Sequence, residues 1–202
     1  MTLLNKLNPP LDKPFILTLG SLSNVGKTTI LTILATEIAQ LGNSILFITE
    51  DSTNNVIKKF VNLDLHKMSK VTIMRYVDID KKIANYIGGR NFDYVFYDGP
   101  TTEKFYEEMS FIQKNQKISF LVSTQLKRKI YDVSDVILPI KPTQVSDFIV
   151  VISKNLIKNR FFEGLKKLFG FKFKNLKFTL IKNRYGKNFS FDYNIEFDKI
   201  NQ

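Results

Sequence analysis

Residues 15–19 form a tight apolar run that includes β-branched positions, the pattern of a strand buried on both faces. After a glycine-bounded loop, Ile30, Leu31, Ile33, Leu34, Ile38 and Leu41 recur at helical spacing within 28–41, and Gly42-Asn43 supplies a helix stop. Residues 44–49 read as a second buried strand, so the chain opens with a β-loop-α-β unit of the kind that builds a parallel sheet. The pattern predicts further strands at 70–76, 94–97 and 118–123, with helices near 53–61, 79–87 and 103–114. Runs at 136–140, 148–152, 178–182 and 189–197 read as later strands in mixed or antiparallel pairing. Between the second and third of these, Leu156, Ile157, Phe161, Phe162, Leu165, Leu168 and Phe169 share one helical face, and Lys and Arg fill the other. The expected fold class is α/β: a mostly parallel twisted sheet flanked by helices, in one domain spanning 1–202 with 1–14 as an amino-terminal arm.

Composition narrows the function classes. At 202 residues the chain suits one well-buried core. The longest tight apolar run is the five residues 148–152, far short of the roughly 20 needed to span a membrane. The first residues, MTLLNKLNPPLDKPF, lack the pattern of a secretory signal, and with no cysteine there are no disulfides or thiolate metal sites, so a cytoplasmic location is the expectation. The net charge of +11 is concentrated: 151–190 holds 11 Lys or Arg against one acid, Glu163. Such polarity favours a polyanionic partner, nucleic acid or an anionic membrane surface, against the alternative of a lysine-rich solvated face.

The chemistry is most legible between the first strand and the first long helix. Gly20, Ser21, Leu22, Ser23, Asn24, Val25, Gly26, Lys27 and Thr28, followed by Thr29, fit G-x-x-x-x-G-K-[ST] in a strand–loop–helix context. Glycines let the backbone bend so that successive N–H groups point at a phosphate, and the helix N-terminus favours the same charge. Lys27 is expected to reach the β- and γ-phosphates of ATP, and Thr28 to ligate Mg²⁺. Asp98 ends the apolar run YVFYD, where a carboxylate can hold the same magnesium, unless it merely opens an Asp-Gly-Pro turn. Asp93, before that strand, belongs to the opposite edge of the sheet. Glu50 ends the strand that follows the phosphate-loop helix, and ligands of doubly wound sheets lie beyond the carboxyl ends of strands. It is a candidate to prepare a water for attack on ATP, with Asp51 as its competitor and helix capping as the alternative for both acids.

Taken together, these motifs resemble the RecA/DnaB class of P-loop ATPases, which includes strand-exchange recombinases, ring helicases and their small phage and plasmid relatives. The resemblance runs from about Phe15 to Asp198 and implies a RecA-like P-loop NTPase fold. It implies a catalytic role for Glu50 in ILFITED, a γ-phosphate sensor at Gln125 in ISFLVSTQLKR, and a basic pair, Lys182 and Arg184 in FTLIKNRYGK, that enters a neighbouring subunit's ATP site. Assembly into a ring or filament would then complete the site. The chain departs from the class in the short 98–125 interval, in Pro100, and in having no typical helicase amino-terminal domain. FDYVFYDGP, a Walker B-like strand ending in Asp98 and followed by proline, is instead similar to the ParA/MinD partition and positioning ATPases, although Ser21 stands where that family carries a second lysine.

The expectation is a self-assembling ATPase, using ATP and Mg²⁺, that engages single-stranded DNA in replication or recombination as a helicase-like motor or recombinase. Lys127, Arg128 and Lys129 after the sensor strand, with Lys166, Lys167, Lys172 and Lys174 farther on, are the candidate nucleic-acid contacts. The basic, Phe-rich segment equally suits core packing, a subunit interface or peripheral contact with a membrane. Two other readings stand beside this one: a ParA/MinD-like switch on DNA or a membrane surface, and a nucleotide-binding module that assembles without catalysis.

Overall fold

Apolar residues at alternate positions of each strand face opposite sides, so a strand that is apolar throughout must be covered twice. That is the arrangement here. The computed structural model describes residues 1–22, 25–60, 65–76, 83, 87, 90–126, 140–154 and 172–197. In chain order the elements are α1 (Leu3–Leu7), β1 (Ile16–Ser21), α2 (Lys27–Gln40), β2 (Ile45–Thr49), α3 (Thr53–Ile57), α4 (Leu65–Met68) and β3 (Val71–Arg75), then β4 (Tyr94–Asp98), α5 (Glu103–Gln116), β5 (Ser119–Gln125), α6 (Ile140–Val145), β6 (Phe148–Lys154), β7 (Lys172–Asn183) and β8 (Ser190–Phe197). The strands form one eight-stranded sheet in the order β3-β2-β4-β5-β1-β6-β7-β8. From β3 to β6 every pairing is parallel, and β7 and β8 close the far side antiparallel.

The two faces carry separate cores. Leu17, Leu19, Ile45, Phe47, Tyr94, Phe96, Leu121 and Val150 meet Ile30, Leu31, Leu34, Ala35 and Ile38 of α2 on one side. Ile16, Leu46, Ile48, Val95, Tyr97, Phe120 and Val122 meet Phe105, Tyr106, Met109 and Ile112 of α5 on the other. Thr102 caps α5 by accepting the Phe105 N–H, and Lys117 ends it in the left-handed region. The rings of Phe47 and Phe96 stack with centroids 5.8 Å apart, locking β2 to β4 beneath α2.

The amino-terminal arm is part of this packing. Leu3, Leu4 and Leu7 are buried in the α2-side core. The Glu37 carboxylate of α2 accepts the N–H groups of Leu3 (2.9 Å) and Leu4 (2.6 Å), which α1 cannot satisfy internally.

Some sequence expectations are corrected. Leu41, assigned to the apolar helix face, is 60% exposed, because α2 ends at Gln40 and Gly42 turns the chain at φ 92°. Ile140, read as the end of a strand, begins α6. The helix near 53–61 is only α3, Thr53–Ile57, followed by turns closed by Lys59 and Phe60 N–H groups. The strand expected at 136–139 and the amphipathic helix at 155–171 lie outside the described residues, as does most of 79–87, where Ile83 and Ile87 are buried. Among the described residues no helix is long and apolar enough to cross a membrane.

Glu37→Ala removes two charge-assisted hydrogen bonds of about 1.5–3 kcal/mol each at most, so we expect a lower midpoint in urea unfolding. Hydrogen exchange should accelerate at residues 3–7 while the β1 and β4 amides stay protected.

Candidate functional site

β1 carries the chain to the carboxyl rim of the sheet, where the backbone must turn within a few residues. Gly20 is tightly placed, since a Cβ there would lie 3.3 Å from the Leu126 side chain. Ser21 is buried and its hydroxyl donates to the Leu22 carbonyl at 2.9 Å. Ser23 and Asn24 lie outside the described residues. Val25 is buried and anchors the returning loop in the core. Gly26 precedes α2 at φ 106°, ψ 36°, a left-handed conformation that costs glycine little. As N-cap it has no side chain to satisfy the helix's first N–H groups, and such a turn favours negative charge.

Lys27 opens α2 and is half-buried. Burial lowers its pKa below the ordinary lysine value, while the carboxylates of Asp98 and Glu50 pull the other way. One ammonium thus shares its surroundings with both acids, although they come from β4 and from the end of β2. Asp98 is buried and clamped on both oxygens: Thr28 Oγ1 donates to Oδ2, and Ser123 Oγ donates to Oδ1 at 2.5 Å. A threonine hydroxyl beside a carboxylate is a hard-oxygen donor set of the kind Mg²⁺ accepts, and the residues present fit that ion.

Glu50 is exposed immediately beyond β2, and its N–H donates to the Asp98 carbonyl at 2.9 Å, which ties the two strand ends together. Asp51, its competitor, faces elsewhere: its carboxylate pairs with Lys59 at 3.3 Å and its N–H donates to Thr49 Oγ1. Gln125 ends β5 in register with Ser21 and is exposed at the same rim. Because β5 lies between β1 and β4, Gln125 stands between the phosphate loop and Asp98. Thr29, the last loop candidate, lies in the first turn of α2.

Other candidates lie away from this rim. Asp93 accepts the Ser44 N–H and hydroxyl at 2.7 and 2.8 Å at the opposite end of β4. Arg184 also sits at that amino edge, with its guanidinium 2.5 Å from Asp147 Oδ1. Asp147 is 1% exposed and takes the Ile16 N–H at 2.9 Å and the Gln113 amide at 3.2 Å on its second oxygen. Lys182 donates to the Thr143 carbonyl at 2.6 Å, and burial, then Arg184, lowers its pKa. Lys127, Arg128, Lys129, Lys166 and Lys167 lie outside the described residues. Lys172 and Lys174 lie on β7, opposite Phe197 and Ile195 of β8.

Two features escaped the sequence reading. Ser123 was available as a polar residue two positions before Gln125, hence on the same strand face. Tyr97 was read only as strand, yet its buried hydroxyl donates to the Pro100 carbonyl at 2.9 Å and holds the turn after Asp98. Burial raises the Tyr97 pKa well above the ordinary tyrosine value, so this donor keeps its proton. Behind the rim, Thr101 and Thr124 share a hydrogen bond of 3.2 Å near the buried Tyr106 hydroxyl.

Comparisons with known proteins agree with this architecture. A solved structure described as the RadB recombinase matches with a TM-score of 0.66 over 95% of this chain and 91% of that one, at 11% identity. A KaiC-like protein from the hyperthermophilic archaeon Pyrococcus horikoshii matches with a TM-score of 0.64 over 90% and 85%, also at 11% identity. No family model matches the chain, and no curated protein matches it in sequence. The fold is therefore that of RecA-type P-loop proteins, reached with little sequence in common.

Because half-burial disfavours charged Lys27, that penalty is fully present below its folded pKa. It is relieved as pH rises through that value towards the unfolded one. Lys27→Met should raise the melting temperature slightly at neutral pH, with a gain that shrinks at alkaline pH in a thermal-unfolding series.

Proposed function

We propose that this chain is a Mg²⁺-dependent ATPase of RecA type that assembles with copies of itself and engages single-stranded DNA in recombination or replication. The observation that carries the reading is the meeting of Lys27, Asp98 and Glu50 at one rim, although the three lie on separate segments of the chain. In this reading the loop from Gly20 to Gly26 and the first turn of α2 hold the phosphates through N–H groups, and Lys27 neutralises the β- and γ-phosphoryl oxygens. Thr28 and Asp98 hold magnesium, which when bound offsets the charge of the polyphosphate. Glu50 orients a water in line with the γ-phosphorus and takes its proton as the new P–O bond forms and the β–γ bridging bond breaks, releasing ADP. Its solvent exposure suits a group that must meet water, and Asp51 is already engaged with Lys59. Gln125 senses the γ-phosphate in this reading, which its position between loop and acid supports.

Arg184 lies on the opposite edge of the sheet from its own phosphate loop, so any ATP phosphate it meets would belong to another copy. It is half-exposed, and Asp147 holds it ready in the meantime. The amino-terminal edge of one copy would then face the ATP rim of the next, which is the geometry of a ring or filament. Engagement of DNA rests on the charge of 151–190, with Lys172, Lys174 and the expected cations at 127–129 and 166–167 as contacts. The partition-type reading leaned on Pro100 after Asp98-Gly99. Here the Tyr97 hydroxyl gives that proline turn a local structural reason, and Ser21 is spent on the loop backbone.

Glu50→Gln should keep ATP affinity while turnover falls about 10²- to 10⁴-fold, whereas Asp51→Asn should stay within a few-fold of the parent in a phosphate-release assay. Undiminished turnover in Glu50→Gln would remove the residue from the chemistry, and no turnover in the parent would leave an assembly module.

Specific activity should rise with protein concentration and with added single-stranded DNA, and Arg184→Ala should blunt the concentration dependence. Stimulation by anionic vesicles but not by DNA would move the assignment to a membrane-surface switch.

A further inference from the structure

The carboxylate that would hold magnesium is not free to choose its orientation. Asp98, Thr28 and Ser123 lie together on the α2 side of the sheet: Tyr94 and Phe96 alternate with Asp98 along β4, and Leu121 alternates with Ser123 along β5. Ser123 is 2% exposed and Asp98 9%, so water does little to fix the carboxylate, and its two hydroxyl partners set its plane. Thr28 has a second duty, because its oxygen, in the first turn of α2, is itself a candidate metal ligand. Ser123 has none. It sits inside a strand paired on both sides, and its single hydroxyl proton is spent on Oδ1.

We propose that Ser123 is a positioning residue for magnesium: by donating to one oxygen of Asp98, it aims the other at the metal that accompanies the nucleotide. This inference rests on the reading of the rim as a Mg²⁺–ATP site and adds a residue to it. Two positions along the same face of β5 stands Gln125, so one strand carries both the group that fixes the metal-holding acid and the group placed beside the phosphate. A displacement of β5 caused by phosphate at Gln125 would reach Asp98 through a single hydrogen bond.

Outer partners of metal ligands are typically worth 10- to 100-fold in metal affinity. The experiment is equilibrium binding of a fluorescent ATP analogue to the full chain across a Mg²⁺ titration, with and without EDTA. Ser123→Ala should raise the Mg²⁺ concentration for half-maximal tightening by about 10-fold or more, leaving metal-free binding unchanged, and Ser123→Thr should restore it. In an Asp98→Asn background the same alanine change should have no further effect, since Ser123 acts only through that carboxylate. Should the alanine variant fold poorly, Ser123→Cys, similar in size and a weak donor, gives the same reading. A Mg²⁺ dependence identical to the parent, or an alanine effect that persists undiminished beside Asp98→Asn, overturns the proposal while leaving the ATP site standing. If the parent binds no nucleotide at all, the site and the proposal fall together.

Discussion

Six neighbouring strands of this sheet run in the same direction, and the site depends on that constraint more than on any one side chain. Parallel pairing sends every carboxyl end to one rim, so residues just past the strands meet without any long-range search among loops. Ser21 pairs with Gln125 and Thr49 with Asp98 in the ladder, which brings the loop after β1, Gln125, Glu50 and Asp98 into one line of register. Because strand side chains alternate, slipping any of these pairings by one residue would turn Asp98 or Ser123 to the α5 face and leave a carboxylate in an apolar core. The apolar strand interiors therefore fix the chemistry indirectly, by allowing only one register.

The two ends of the sheet treat charge differently. At the amino edge Asp147 is almost wholly buried, with a backbone N–H and an amide on one oxygen and the Arg184 guanidinium in ion-pair contact with the other. At the carboxyl rim Lys27 is half-buried, and burial disfavours its charge despite the two nearby acids.

The sheet and the rim were legible in the sequence because both rest on strong local patterns. Continuous apolar runs ending in Gly20, Glu50 and Asp98 gave the parallel strands and their exits, and the glycine-lysine-threonine loop announced its own chemistry. Helix ends were less legible: Leu41 continues an apolar period, but a left-handed Gly42 stops the helix first and leaves it in solvent. Ile140 belongs to an apolar run that suits either a strand or a buried helix, an ambiguity that periodicity alone cannot resolve. Ser123 was overlooked because a serine in a strand looks like a neutral position until its neighbour across the ladder is known. Asp147 and Glu37 were hidden for the same reason, since their partners lie 131 and 34 residues away in the chain.

β1, which feeds the phosphate loop, has both of its ladder partners far downstream: Leu17 pairs with Leu121 on one side and Phe148 on the other. During synthesis this buried segment leaves the ribosome long before either neighbour exists. Until β5 and β6 arrive, both edges of β1 are unpaired, so the centre of the sheet closes late, as pairing across long sequence separation leads one to expect.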